Sequence, residues 1–507
     1  HTMGLAGLCV LGAFFAFASL WATGANDVAN ALGTSVGSKA ISPRRAILLG
    51  GLFEFLGSSL VGSSVSSTLS HEIVAPSVFR PESFVAGMFA SLVGAFSWVT
   101  FATYFALPVS STHAIVGSVV AFSIAGGHGG SIKWDHLESI AISWVVSPVL
   151  GGVLSYLLYW LIKRVVVMHK HPSVRAKHAL PLFMAVVCAT VLIFILIGGP
   201  PLLRPDIAWY WMALIYAASL AIFYALARAT LVPALVRHLA ATSDPDLLET
   251  PMAKSLIAAA GPHTPLGRAG TGVELEALNA ESAHPSTWTP SPFVSQEGGS
   301  ESSESSAERA TSVAGAATRL EFPSAVEKGE DHASVMDALN AERLFVPLMI
   351  VTACSVAFAH GGNDVANAIG PFDVLLEYAL DGTATGTKGM PFYVAMGGGV
   401  AIVVGLLTWG YKVMRTVGEK ITRLTFTKGF AAQFGASVSV LVATILGIPI
   451  STTSVLVGSV TGVGLVDGNR GVDLKLIGRI VAGWIVTLPA AGLVTAVVFF
   501  LVDAIVT

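Results

Sequence analysis

The sequence predicts an all-α integral membrane protein of about twelve transmembrane helices, built as two inverted-topology repeats with broken helices and hairpins. Three observations predict it. Of 507 residues, 53% are hydrophobic and only 12% charged, with a mean hydropathy of +0.73, whereas a soluble domain carries about 25% charged residues. Apolar stretches close to the ~20 residues that cross hydrocarbon recur along the chain. Two polar motifs each occur twice, and the charge of the flanking loops reverses between the copies.

The apolar stretches lie at approximately 3–33, 46–69, 83–107, 108–126 and 138–162, then 180–198 and 207–235, then 343–371, 390–411, 429–447, 448–465 and 476–505. The first has no Lys or Arg ahead of it and runs into a polar motif rather than a cleavage site, so it predicts a span and not a signal peptide. The pattern divides the chain into a first membrane repeat (1–165), two connecting helices (166–235), a loop (236–342) and a second membrane repeat (343–507). The loop is rich in Ser, Pro, Gly, Ala and Glu, a composition that predicts disorder. It reads as a phosphorylatable segment or simply as a tolerated linker.

The internal repeat is explicit. Gly24-Ala25-Asn26-Asp27-Val28-Ala29-Asn30-Ala31-Leu32-Gly33 returns as Gly361-Gly362-Asn363-Asp364-Val365-Ala366-Asn367-Ala368-Ile369-Gly370, identical at eight of ten positions. Pro108-Val109-Ser110-Ser111-Thr112-His113 returns as Pro449-Ile450-Ser451-Thr452-Thr453-Ser454, and Val-Gly-Ser-Val follows both. The offsets are 337 (361 minus 24) and 341 (449 minus 108), so the halves align with few gaps. Such self-similarity marks duplication.

Loop charge predicts orientation, because short cytoplasmic loops collect Lys and Arg. Lys39, Arg44 and Arg45 follow the first span, whereas the equivalent loop of the second half carries Asp373, Glu377 and Asp381 against Lys388. The next loop of the first half holds only Arg80, and its counterpart holds Lys412, Arg415, Lys420, Arg423 and Lys428. With Lys163, Arg164, Lys170, Arg175 and Lys177 inside, the span count predicts both termini outside and the 236–342 loop in the cytoplasm.

Two motifs carry the chemistry. Asp27 and Asp364 are carboxylates within apolar spans, where a charge must face protein, water or an ion. With neighbouring Asn amides and backbone carbonyls freed at Gly24, Gly33, Gly361 and Gly362, they suggest a hard oxygen cage for a small cation; the alternative is an Asp that caps the next half-helix. The Pro108 and Pro449 blocks place hydroxyls at Ser110, Ser111, Thr112, Ser451, Thr452 and Thr453 in the first turn of a helix. There Pro is tolerated, free N–H groups and the helix dipole favour an anion, and the alternative is ordinary capping.

The paired Gly-Ala-Asn-Asp-Val-Ala-Asn-Ala and Gly-Gly-Asn-Asp-Val-Ala-Asn-Ala sequences resemble the motif of the inorganic phosphate transporter (PiT) family, and the Pro-Val-Ser-Ser-Thr-His and Pro-Ile-Ser-Thr-Thr-Ser blocks resemble its second paired motif. The resemblance covers both membrane halves. It implies symport of inorganic phosphate with sodium or protons, an inverted-repeat fold and a homodimer. It implies sodium at Asn26, Asp27, Asn363 and Asp364, and phosphate at Ser110, Ser111, Thr112, Gln433, Ser451, Thr452 and Thr453. It adds Glu54, Asn30, Asn367 and His113 to the transport path. Glu54, amid Leu and Phe, needs a partner on its own chemistry, whereas His113 reads equally as a core histidine bonded to backbone. Met88, Gln433 and Ser454 depart from residues common in the family, which bears on how many cations travel and whether one is a proton.

Other classes find no support in the sequence. A net charge of −3 does not argue for nucleic acid. Cys9, Cys188 and Cys354 lie in apolar segments without ligand spacing. The stretch from Gly33 to Ala40, ending Gly37-Ser38-Lys39-Ala40, lacks the spacing and preceding strand of a phosphate loop. No metal cluster, nucleophile or nucleotide motif suggests an enzyme or a cofactor. Trp98, Trp134, Trp144, Trp160 and Trp209 near span ends read as interfacial anchors. The runner-up readings are transport of sulfate or another tetrahedral oxyanion, and a phosphate-sensing receptor. The default location is the plasma membrane.

Overall fold

The computed structural model describes residues 2–62, 65–66, 68–199, 208–241, 332–386, 391–420, 425–468 and 474–506, without the side chains of 2–6, 29–30, 240–241, 332–335, 412, 415–420, 474–476 and 479. The chain divides into two units, His1–Thr242 with Asn340–Thr507, and Ser243–Leu339. Most of the predicted 236–342 loop lies outside the described residues, and helix is seen only at its two ends.

In the first unit the helices are α1 (Thr2–Asn26), α2 (Val28–Gly37), α3 (Pro43–Val61), α4 (Pro81–Tyr104), α5 (Ser111–Ala125), α6 (Trp134–Ile162), α7 (Pro172–Gly198), α8 (Trp209–Leu226) and α9 (Val232–Ala241). After α10 (His332–Leu344) come α11 (Val346–Asp364), α12 (Ala366–Asp381), α13 (Phe392–Lys420), α14 (Phe426–Ile445), α15 (Thr452–Leu465) and α16 (Leu474–Val506). Among the described residues, β pairing is limited to one isolated bridge, Val74 to Ile132. Nine helical stretches of these residues are long and apolar enough to cross a membrane. The other three predicted spans fall on α3, which carries Arg44, Arg45 and Glu54, and on α5 and α15. At 15 and 14 residues, the last two reach only about 22 Å at ~1.5 Å per residue, short of a ~30 Å hydrocarbon core. They are the return arms of the hairpins α4–α5 and α14–α15.

Two hairpin turns have matching backbone. Ala106 has φ +53° and Gly447 has φ +69°, and 447 minus 106 is the motif offset of 341. Glycine takes this left-handed conformation freely, whereas alanine is strained in it.

The halves pack reciprocally. α1 lies against α13 and α11 against α3; α16 covers the α4–α5 hairpin, and α6 covers α14 and α15. Glycines make the closest approaches. A Cβ on Gly24 would stand 2.0 Å from the Ile402 carbonyl oxygen, and one on Gly405 1.9 Å from that of Trp21. Across the other pair, a Cβ on Gly57 would stand 1.9 Å from the Phe358 oxygen and one on Gly361 2.3 Å from the Glu54 oxygen. Backbone contact through small residues is how helices associate without a hydrophobic driving force.

This corrects the reading of the motif glycines. Gly24 and Gly361 do not unwind the helix; they admit a neighbouring backbone. The interruption is confined to Asp27, still helical at φ −84°, ψ −36°, and to Val365 at φ −58°, ψ −33°. Asp27 N still donates to the Thr23 carbonyl at 2.8 Å. The acidic "loop" of the second half is also corrected: Asp373, Glu377 and Asp381 lie on α12, and Asp373 and Glu377 are buried. Glu377 accepts from the Thr383 hydroxyl at 3.0 Å and from the Gly386 N–H. Of the tryptophans, Trp134, Trp160 and Trp209 are exposed, whereas Trp98 turns inward and donates to the Thr487 hydroxyl at 3.1 Å.

Replacing Gly57 with Val is expected to lower stability by about 3 kcal/mol or more, because the clash is with backbone and not with a movable side chain. Gly397→Ala, where a Cβ meets nothing within 4 Å, is expected to leave the detergent unfolding midpoint unchanged. Equal midpoints for both variants would contradict the packing.

Candidate functional site

The site forms where the ends of α1 and α11 meet the two hairpin turns. Each Asn of the Asn-Asp pair organises the hairpin of its own half. Asn26 Nδ2 donates to Thr103 Oγ1 at 2.9 Å and to the Leu107 carbonyl at 3.0 Å, and its Oδ1 accepts from Val109 N at 3.1 Å. Asn363 repeats this with Thr444 Oγ1 at 3.1 Å, the Ile448 carbonyl at 3.3 Å and Ile450 N at 3.4 Å. One amide side chain in each half thus pairs a carbonyl of the turn with the N–H of the buried residue that follows it, Val109 or Ile450, and buried backbone groups need such partners. The two asparagines, expected beside a cation, are therefore engaged in holding the turns.

The first hydroxyl of each block is a cap. Ser110 Oγ accepts from His113 N, and Ser451 Oγ from Ser454 N, both at 3.2 Å; Ser454 takes the place of His113 in the repeat and donates its hydroxyl to Ser451 at 2.8 Å. The hydroxyls that face the carboxylates belong to the next two positions. Ser111 Oγ and Thr452 Oγ1, from opposite halves, both stand 3.4 Å from Asp364 Oδ2. Thr453 Oγ1 stands 3.5 Å from Asp27 Oδ1, and Ser111 N donates to Asp27 Oδ2 at 3.3 Å. Thr112 donates to the Ile450 carbonyl at 3.0 Å, tying one turn to the other. Contacts of 3.4–3.5 Å are long for hydroxyl hydrogen bonds, so these groups lie within reach of the carboxylates without being saturated by them. The N-termini of α5 and α15 thus meet, and all these residues are buried.

Asn367 joins them, its Nδ2 donating to Ser111 Oγ at 3.1 Å and Thr112 Oγ1 at 3.2 Å. The equivalent Asn30 side chain lies outside the described residues. Glu54, 0% exposed, finds its partner in a residue the motif reading passed over. His360 Nδ1 is 2.8 Å from Glu54 Oε2, and Nε2 is 3.0 Å from Asp364 Oδ2. Sequence held a signal for it: a lone His one residue ahead of the second motif, where the first half has Thr23, and a buried Glu that required a partner.

The donor set can hold a cation. Asp27, His360 and Asp364 each offer a ligand atom, all within 4.8 Å of one another. Glu54 Oε1, Asp364 Oδ1 and Asn367 Oδ1 are buried acceptors with no hydrogen-bond partner among the described residues. Unsatisfied buried oxygens are rare and call for a donor or an ion, and oxygen-rich sets suit hard cations.

Two expected site residues are placed differently. Gln433 Nε2 donates to Thr34 Oγ1 and Ser35 Oγ, both at 2.8 Å, and its Oε1 accepts from Thr352 Oγ1 at 2.9 Å. Its amide thus links α2, α11 and α14. His113, rather than bonding backbone through its ring, packs 4.1 Å from Trp144, with both ring nitrogens lacking a hydrogen-bond partner among the described residues. A cavity of about 390 Å³ adjoins the α14–α15 turn, lined by Thr68, Glu72, His136, Ser139, Gly447 and Pro449 among others. Thr68 reaches across to the Gly447 carbonyl at 2.7 Å.

The chain matches the model of the "Phosphate transporter family" over residues 23–495. It is 35% identical over 490 residues to "Inorganic phosphate transporter 2-1, chloroplastic" of Arabidopsis thaliana, covering 96% of this chain and 70% of that one. It is 31% identical over 484 residues to a candidate phosphate permease of Pyrococcus furiosus, covering 95% and 93%. A solved structure described as "The sodium-dependent phosphate transporter" superposes with a TM-score of 0.73 at 29% identity, covering 98% of this chain and all of the other.

His360→Ala is expected to destabilise the protein by about 3–5 kcal/mol, because it strips two buried carboxylates of one shared partner. His360→Gln, which restores a donor, is expected to recover part of the loss. Thermal unfolding in detergent measures both, and an unchanged midpoint for the Ala variant would refute the bridge.

Proposed function

The chain belongs to the phosphate transporter family, and we propose that it is a secondary active symporter carrying inorganic phosphate with sodium ions by alternating access. Membership makes it an integral membrane transporter rather than an enzyme. One observation carries the finer reading: two hydroxyl-bearing helix N-termini from opposite halves converge on a pair of buried carboxylates. Helix N-termini with hydroxyl donors suit a tetrahedral oxyanion, and carboxylates beside them suit the cations that travel with it.

In this reading sodium binds first at Asp27 and Asp364, with the unpartnered oxygens of Glu54 and Asn367 close at hand. Its charge offsets the repulsion the carboxylates would exert on a phosphate anion. Phosphate then docks against Ser111, Thr112, Thr452 and Thr453, reached through the cavity at the α14–α15 turn. Ser110 and Ser451 hold the helix starts, and Gln433 braces α2 against α14. The reciprocally packed halves are proposed as inverted repeats that rock about the site. An inside-negative potential opposes an entering anion by about 2.3 kcal/mol per charge per 100 mV, so two sodium ions with a monovalent anion reverse the sign. The proposed setting is a homodimer in the plasma membrane, with both termini outside and the 236–342 loop inside.

Radiolabelled phosphate uptake into proteoliposomes under imposed sodium or proton gradients tests this. Asp27→Asn and Asp364→Asn are each expected to abolish sodium-dependent uptake with unchanged protein in the membrane; full uptake by both would remove the cation assignment. Uptake driven equally by a proton gradient would replace sodium as the coupling ion, and stronger competition by sulfate than by arsenate would replace phosphate as the substrate. Removal of the loop is expected to preserve flux, where a sensor would lose its output.

A further inference from the structure

The helices α7 and α8 stand at the periphery. The most apolar windows of their spans are only 33% and 17% buried, against 78% for the span containing α11 and α12. Most of their surface therefore faces away from the rest of the first unit, and the charge that this stretch of chain contributes at one end of the pair is of a single sign. No Asp or Glu occurs from 139 to 205 or from 207 to 243, whereas Lys163, Arg164, Lys170, Arg175, Lys177, Arg204, Arg228 and Arg237 do. Lys163 is already paired with Asp467 at 2.6 Å. Arg164, Lys170, Arg175 and Arg237 are exposed, and α9, which bears Arg237, lies against α7.

The position of these cations restricts what they meet. Only four residues, 168–171, separate the spanning stretches Trp134–Val167 and Pro172–Gly198, so the cations sit where two spans end, at headgroup depth. The Arg164 guanidinium lies 4.8 Å over the ring of Trp160, a residue type that favours the interface. Exposed apolar side chains alternate with the basic ones: Val165 is 43% exposed, Met168 58%, Val174 48% and Leu182 53%. Along α7 the exposed residues Arg175, His178 and Leu182 share one face at helical spacing, and exposed His171 stands at the N-cap position of the helix. Their order is basic first and apolar deeper into the span. A site for a soluble anion has no use for exposed Met and Leu among its cations, whereas a phospholipid presents an anionic head followed by an apolar tail.

We propose that this collar, formed by the α6 end, the α7 start and the α9 end, binds anionic phospholipid, with Arg164, Lys170, Arg175 and Arg237 contacting the headgroup and Val174 and Leu182 the acyl chain. Each juxtamembrane cation contributes about fivefold in affinity. The full-length protein would be titrated in neutral detergent with phosphatidylglycerol or phosphatidylcholine and the bound lipid counted by native mass spectrometry. Wild type is expected to prefer phosphatidylglycerol, and the Arg164→Gln/Lys170→Gln/Arg175→Gln variant to lose about a hundredfold of that affinity while keeping its phosphatidylcholine binding. Arg164→Lys/Arg175→Lys is expected to retain the preference, and added salt to weaken it in wild type. The proposal is overturned by equal binding of the two lipids to wild type, by a triple variant that keeps the preference, by a preference insensitive to salt, or by displacement of the lipid by inorganic phosphate.

Discussion

Three carboxylates inside an apolar bundle, Asp27, Glu54 and Asp364, are the constraint around which the structure is arranged. All three are at most 2% exposed, and a buried charge is tolerated only with partners of good geometry. The partners come from every direction: His360 between Glu54 and Asp364, Ser111 N–H on Asp27, and hydroxyls of both hairpins at longer range. The hairpins can approach only because Asn26 and Asn363 satisfy the backbone of their turns. Each motif therefore combines a group that builds the site, the Asn, with a group that needs it, the Asp.

The glycine contacts explain how two halves with the same motifs end up sharing one site. α1 is pressed against α13 and α11 against α3 at backbone distance, so each Asn-Asp pair is delivered by a helix held from the other half. The hydroxyl turns are delivered likewise, with α16 covering one hairpin and α6 the other. A site assembled this way needs both halves at once. The halves are not chemically equal, however. His360 answers to Thr23, and Ser454 answers to His113, so the bridging imidazole sits on one side and the tryptophan-packed imidazole on the other.

The proposed lipid collar extends the same logic outward. Cations at the α6 end, at the α7 start and on α9, with no acid nearby in the sequence, concentrate positive charge that an anionic headgroup would complement. Of the candidate spans among the described residues, the one that holds α8 is least buried by protein, 17% against 28% for the one that holds α6.

Much of this is legible in the sequence. Apolar runs of spanning length and duplicated Asn-Asp and hydroxyl motifs are local or periodic properties, and they pointed to an all-helical membrane protein and to residues that converge: Asp27, Asp364, Ser111, Thr112, Thr452, Thr453 and Asn367. What each polar side chain is bonded to could not be read, because a side chain's partners are set by helix packing and not by neighbours in sequence. That is why Asn26 and Asn363 proved to brace turns, Ser110 and Ser451 to cap helices, Gln433 to bond Thr34, Ser35 and Thr352, and Gly24 and Gly361 to admit a neighbouring backbone. His360 belongs to the same class. Its importance lies in Glu54, 306 residues earlier, and only the tertiary fold brings those two groups within a hydrogen bond.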